Sequence, residues 1–338
     1  MRANSFCGII PPHILKRLAD RGHEPARHTL VLDERHRAAR LEAVAAPPAA
    51  PQRLTRTIDS CDDGTDLPGK TVRKEGGAKV ADGAVDRAYD ALGATFAFYQ
   101  KVYGRNSVDN NYLPLLASVH YGEDYDNAFW NGSQMIFGDG DKVHFGDFTS
   151  SVDVIGHELT HGVTQYSAGL AYQDQSGALN ESVSDIFGSM IKQYTLGETS
   201  EQADWLIGEG LLLHGGALRS MKAPGTAYDD PELGKDQQPA NMANYVQTTK
   251  DNGGVHINSG IPNHAFYLLA MNLGGHSWEQ AGQIWYDTLT NGNIKPNIDF
   301  AGFAQATVTA AKARFNGTVG AAVADAWSQV GVNIAQLA

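Results

Sequence analysis

The chain has 338 residues, 42% of them hydrophobic and 19% charged, with 26 Lys/Arg against 38 Asp/Glu and a formal net charge of −12. These values fit a folded chain of about two domains' length and exclude a disordered or fibrous one. The acidic balance argues against a phosphate-backbone binder, so no nucleic-acid partner is expected. Two cysteines are too few for a disulfide-stapled scaffold, and no apolar run reaches the roughly 18 to 20 residues that span a bilayer.

Charge is uneven along the chain. Residues 1–50 carry 8 basic and 5 acidic residues, against 18 and 33 in the remainder. A small basic segment on an acidic body reads either as an electrostatically docked extension or as a solvated helical arm. Residues 45–52, AAPPAAPQ, form a Pro/Ala stretch of the extended, protease-accessible kind. A Sec signal is not expected: the apolar run at 6–15 is broken by Pro11-Pro12 and followed by Lys16-Arg17. Retention in the cytoplasm and export by a non-classical route both stay open.

In the body, Val85, Tyr89, Leu92, Phe96, Tyr99 and Tyr103 recur at helical spacing, which predicts one amphipathic helix over 82–103. Segments 113–121, 127–137 and 142–145 have strand character and are punctuated by Gly122, Gly132 and the Gly138-Asp139-Gly140-Asp141 turn. From about 151 helical periods dominate, near 151–165, 178–195, 259–273, 277–290, 299–314 and 319–330. Gly and Pro clusters at 215–240 and 251–260 predict long loops, and loops that long are often functional. The expected class is α+β, with a mixed half followed by a mainly helical half and a cleft where they meet.

The strongest local signal is His157-Glu158-Leu159-Thr160-His161. Residues four apart on a helix project from one face, so both imidazoles can reach one cation. Glu158 is then close enough to work on water held there without itself being a ligand. Ser150-Ser151 offers an N-cap for this helix. Two histidines satisfied by hydrogen bonds would be the plain reading of a bare match. Zinc in hydrolases takes three protein ligands and leaves a position for water, so a third ligand decides the matter. Twenty residues beyond His161, Asn180-Glu181-Ser182-Val183-Ser184-Asp185 opens an apolar helix read over 183–194. Glu181 can close a His₂Glu site, and Asp185, four residues on, can accept from the far nitrogen of a ligand histidine.

With these segments in place, HELTHGVTQYSAGL and SGALNESVSDIFGS resemble the thermolysin family of zinc endopeptidases. Further matching blocks are 127–132 (NAFWNG), 218–221 (LRSM) and 251–260 (DNGGVHINSG), in the family's order across about residues 56–332. The start at Ile9-Ile10-Pro11-Pro12 resembles the protealysin-like branch, whose members carry a compact propeptide. The resemblance implies a thermolysin-like two-domain metalloprotease. Residues 1–50 would be a propeptide, 51–165 the N-terminal α+β domain ending in the HExxH helix, and 166–338 the helical domain.

By the same resemblance, one catalytic zinc is held by His157, His161 and Glu181, and Glu158 is general base and then acid. His256 and Tyr172 supply oxyanion donors, and Asp251 orients His256 in an Asp-x₄-His loop. Asp185 and Asn180 support the ligand imidazoles. Asn127 and the backbone of Ala128 bind the peptide chain, and Arg219 contacts a carbonyl. Phe145, Phe148, Val154, Ile207, Leu211 and Leu218 match the S1′ pocket, which implies cleavage on the amino side of bulky hydrophobic residues. A family calcium site is matched by Asp153, Asp204 and Glu209, but Lys192 and Leu206 stand where acidic residues are expected, so at most one calcium is expected there. The expected partners are protein or peptide substrates and the propeptide in cis, with the protein a monomer.

Cys7, just before the Pro-Pro pair, is either an ordinary free thiol or a thiolate ligand filling the fourth zinc position of a latent precursor. Leader removal is expected in or beside the linker, around 45–55, where Val44 and Leu54 suit the enzyme's own taste. Cys61 matches nothing of use. His13, His28 and His36 lie in the leader, His120, His144, His214, His264 and His276 lack ligand spacing, and all read as surface or core histidines. Two other functions compete: a binding protein on an inactive peptidase scaffold, disfavoured because every chemical role is filled, and an aminopeptidase, which lacks an amino-terminus-capturing acidic motif beside HExxH.

Overall fold

The structure, a computed structural model, describes residues 8–40 and 52–334. Cys7 and all of the 45–52 stretch except Gln52 lie outside the described residues.

The chain begins with a helical hairpin, α1 (Pro12–Asp20) and α2 (Glu24–Arg40). Pro12 suits the first turn of α1, where its missing N–H loses no helical bond. Ile9, Ile10, Ile14, Leu15 and Leu18 are at most 1% exposed and belong to the main hydrophobic core. Each such side chain contributes about 1.5–3 kcal/mol by leaving water. The segment is therefore neither a solvated arm nor docked chiefly by charge, and the i, i+4 apolar stripe of α1 is the reason. Arg17 and Arg21 add guanidinium bonds to the backbone carbonyls of Glu232 and Pro231.

Next come β1 (Arg56–Ser60), β2 (Lys70–Lys74), α3 (Gly83–Tyr103), β3 (Leu115–Val119), β4 (Ala128–Trp130) and β5 (Met135–Phe137). They build one five-stranded sheet in the order β2-β1-β3-β5-β4, which leaves β4 at an edge. α3 is capped by Asp82, whose carboxylate accepts from the N–H groups of Ala84 and Val85. The 127–137 segment is a hairpin rather than one strand. Its turn is made by Asn131, whose Oδ1 accepts from the N–H groups of Ser133 and Gln134. Segment 142–145 is not a strand: Asp141 Oδ1 accepts from the N–H groups of Val143, His144 and Phe145 and winds it into a turn.

The rest is mainly helical. α4 (Val152–Gln165) and α5 (Asp174–Leu196) pack side by side at the centre. Short pairs β6 (Leu206–Ile207) with β7 (Arg219–Ser220), and β8 (Asp229–Asp230) with β9 (Gly234–Lys235), follow. The helices α6 (Asp251–Asn258), α7 (Gly260–Leu273), α8 (Ala281–Thr290), α9 (Phe300–Arg314) and α10 (Gly317–Gln329) complete the chain.

Three sequence expectations change here. Ser151 stands at the N-cap of α4 without capping through its side chain, because its hydroxyl bonds the carboxylate of Asp153. α5 begins at Asp174, so Glu181 and Asp185 lie two and three turns inside a buried helix rather than at its start. Segment 251–260 is not a long loop: Asn252, Gly253 and Gly254 take positive φ and turn the chain directly into α6. A side chain at Gly253 would put a Cβ 2.1 Å from Asp174 Oδ1, so only glycine fits.

Candidate metal centre

α4 presents His157 and His161 from successive turns, and α5 brings Glu181 against them. The two Nε2 atoms are 3.1 Å apart, and Glu181 places Oε2 3.6 Å from His157 and Oε1 3.5 Å from His161. Asp185 Oδ1 accepts from His157 Nδ1 at 2.8 Å, and a carboxylate can only accept, so that nitrogen carries the proton. Asn180 Oδ1 accepts from His161 Nδ1 at 2.9 Å, its amide oriented by a bond from Nδ2 to the Leu170 carbonyl. Both Nε2 lone pairs therefore face inward with the carboxylate oxygens. Tetrahedral zinc bonds of about 2.0–2.1 Å put neighbouring donors about 3.3 Å apart. The donor types and spacings fit that ion.

The charges are arranged to keep Glu181 ionised. Burial alone would raise its carboxyl, but His256, His161 and His157 around it pull it down to about 2. Asp185 is also wholly buried, yet the Arg219 guanidinium and His157 hold it well below the usual carboxylate range. Arg219 donates from Nε and Nη2 at 2.8 and 2.9 Å, and Asn263 on α7 donates at 2.9 Å.

The other expected chemical groups lie around these ligands. Glu158 accepts from the Trp130 N–H of edge strand β4 at 3.0 Å. The Tyr172 hydroxyl donates to Glu181 Oε1 at 2.5 Å and lies 3.3 Å from His256 Nε2. His256 donates from Nδ1 to Asp251 Oδ1 at 2.7 Å, and its backbone N–H donates to Asp251 Oδ2. Burial opposes a charged imidazole there, but Asp251 and Glu181 outweigh it and raise His256 to about 9. The Asp-x₄-His spacing works because the left-handed turn at 252–254 folds Asp251 back onto the ring.

The first described residues occupy the cleft as an added strand. Gly8 bridges Phe129 in antiparallel sense, Ile9 N–H donates to the Ala128 carbonyl, and Ile10 N–H donates to Asn127 Oδ1 at 3.0 Å. Arg219 Nη1 donates to the Ile9 carbonyl at 3.2 Å. Asn127, Ala128 and Arg219 thus all bind backbone of Ile9 or Ile10. Asn127 is held in turn by Asp33 of α2, which accepts from its Nδ2 at 2.9 Å. Phe145, Phe148, Val154, Ile207, Leu211 and Leu218 are all buried.

Sequence reading missed Asp33 and Asn263, and it missed that the nearest partner of Arg219 is Asp185. Their partners lie 94, 78 and 34 positions away, with no spacing signal to find them. At the expected calcium position, Lys192 Nζ stands among the carboxylates, 2.5 Å from Asp204, 3.4 Å from Glu209 and 4.0 Å from Asp153. Leu206 supplies no charge there, and its N–H donates to Asp204.

A His₂Glu centre between an α+β layer and a helical layer defines a metallopeptidase. Residues 49–165 match the family model for the thermolysin metallopeptidase catalytic domain, and 168–332 match the one for its alpha-helical domain. An extracellular metalloprotease of Pectobacterium carotovorum subsp. carotovorum is 52% identical over 99% of both chains. Protease PrtS of a Photorhabdus species is 44% identical over 98% of this chain and 93% of that one. The solved precursor of protealysin, a metalloproteinase from Serratia proteamaculans, matches with 53% identity and a TM-score of 0.88, covering 97% of this chain and all of that one. The chain belongs to the thermolysin family of zinc metalloendopeptidases, in its protealysin-like branch.

Replacing Arg219 by Ala leaves the Asp185 charge buried without its counter-ion. Such a loss is expected to destabilise the fold by about 3–5 kcal/mol. Urea unfolding followed by circular dichroism measures this, and a change below 1 kcal/mol would contradict the coupling.

Proposed function

We propose that this protein is made as a latent endopeptidase that cuts peptides on the amino side of bulky hydrophobic residues. The observation that carries the reading is the inward-facing donor set of His157, His161 and Glu181 beside Glu158. When bound, a zinc ion supplies Lewis acidity, polarising a peptide carbonyl and lowering the pKa of water. Glu158 takes a proton from the attacking water and delivers it to the leaving amine. His256 Nε2–H and the Tyr172 hydroxyl, held near each other by Asp251 and Glu181, donate to the oxyanion of the tetrahedral intermediate. Asn127, the Ala128 carbonyl and Arg219 bind the substrate backbone as they bind Gly8–Ile10 here. The apolar side chains Phe145, Phe148, Val154, Ile207, Leu211 and Leu218 favour a large hydrophobic residue after the cut.

Residues 1–50 act as the leader in cis, 51–165 and 166–338 form the two halves of the enzyme, and the cut falls around 45–55. With Gly8–Ile10 lying along β4, a substrate strand has no place on that edge, so latency follows from occupancy. Cys7, immediately before Gly8, would carry its thiolate into the remaining zinc position and displace water. The name of the Pectobacterium relative supports export rather than retention in the cytoplasm. Lys192 replaces one cation among Asp153, Asp204 and Glu209, so at most one calcium binds there.

Four measurements check these readings. Mass spectrometry of the incubated protein should find a self-made cut within 45–55, and Glu158→Gln should abolish it together with activity on casein. General acid–base groups of this kind are worth about 10²- to 10⁴-fold, so a variant within tenfold of native would remove Glu158 from the reaction. A peptide library should show a large apolar residue following the cut, and a preference for charged residues would reject the pocket. Cys7→Ser should raise the activity of the intact chain, and unchanged latency would leave Cys7 an ordinary thiol. Calcium calorimetry should find no more than one tight equivalent at Asp153, Asp204 and Glu209, with a second appearing in Lys192→Glu.

A further inference from the structure

Among the described residues, a second group of three side chains has the donor types and closeness of a metal site: His23, His144 and Glu232, with one donor atom of each lying within 4.8 Å of the others. Spacing could not reveal it, because the three come from the turn after α1, the Asp141-capped turn and the loop between β8 and β9.

One part is shared with the first site, a histidine whose Nδ1 is held by a carboxylate. Asp141 accepts from three backbone N–H groups and from His144 Nδ1 at 2.7 Å. Both ring nitrogens of His144 therefore donate, Nδ1 to Asp141 and Nε2, turned outward, to Glu232 Oε2 at 2.5 Å. The same Glu232 oxygen lies 3.6 Å from His23 Nε2, and the two imidazoles meet edge to face with centroids 4.4 Å apart. His144 is buried while the Glu232 side chain is 44% exposed, so the site is anchored at its base and open to solvent. Arg17 and Arg21 bond the carbonyls of Glu232 and Pro231, which fixes this loop against α1 without occupying the Glu232 carboxylate. His214, its ring centroid 5.8 Å from that of His144, is a further imidazole beside the group.

We infer that His23, His144 and Glu232 bind a transition-metal ion of the zinc type, which staples the leader to the body. Imidazole and carboxylate donors suit zinc, cobalt or nickel, and the Asp141–His144 pair is the carboxylate–histidine arrangement that raises a ligand's basicity. Binding displaces the His144 Nε2 proton to solvent. It also requires Glu232 to withdraw by under about 1 Å, since tetrahedral donors sit about 3.3 Å apart. One ligand belongs to the leader and two to the body, so the complete set exists only while the leader is docked. This role as a staple rests on the leader reading above, whereas the site itself does not.

Zinc content separates the two. The intact chain in Glu158→Gln background, dialysed against micromolar free zinc and analysed by mass spectrometry, should hold two zinc ions. His23→Ala should hold one, and zinc added beyond that one equivalent should raise the melting temperature of the parent but not of the variant. Asp141→Asn preserves the turn's acceptor oxygen and should weaken the second zinc by roughly 10- to 100-fold. One zinc in the parent, or two in His23→Ala, overturns the site and leaves an imidazolium–carboxylate cluster. If the site holds, the leader cut at the linker should stay on the body in zinc during size-exclusion chromatography and leave with His23→Ala. Equal release from both would overturn the staple alone.

Discussion

The Asp185 carboxylate is the point on which the cleft depends. It is fully buried and accepts from His157 on α4, from Arg219 on β7 through two nitrogens, and from Asn263 on α7. Desolvating a carboxylate is costly, and only this dense set of donors keeps it charged. In return the charge sets the His157 tautomer, aims the Arg219 guanidinium into the cleft and ties three separate elements to α5. His157 and Arg219 are thus positioned by one group, and disturbance of either is felt by the other.

Residues 8–40 use the same physics in reverse. β4 is an edge strand, and an edge offers unpaired N–H and C=O groups to any extended chain. Residues 8–10 take that place by backbone bonds, and the apolar stripe of α1 supplies the burial that holds them there. Asp33 of α2 reaches across to Asn127, so the helical hairpin also holds the side chain proposed to orient a substrate. Asn127, Ala128 and Arg219, the residues proposed to bind a substrate, are thus already engaged by residues 9 and 10.

Lys192 shows how one ammonium can hold a group of carboxylates together. Asp153, Asp204 and Glu209 converge, and the Lys192 ammonium from α5 lies among them. Asp153, buried at the foot of this cluster, has its carboxyl raised by desolvation and drawn back by Lys192.

Much of this was legible in the sequence. The 3.6-residue periods located the helices, because burial of one stripe is written directly into residue order, and HExxH with Glu181 placed three donors on two adjacent helices. The hairpin β1–β2 left no readable alternation, since β2 is mostly exposed. Residues 142–145 resembled a strand because their apolar character is also what a buried, side-chain-capped turn needs. Segment 251–260 resembled a loop because its glycines serve a single sharp turn before α6. The pairing of Asp185 with Arg219, the reach of Asp33 to Asn127 and the meeting of His23, His144 and Glu232 were decided only by tertiary structure. Local periodicity records which face of an element is buried, but a hydrogen bond between residues tens of positions apart depends on how the elements are packed, and packing leaves no spacing in the chain.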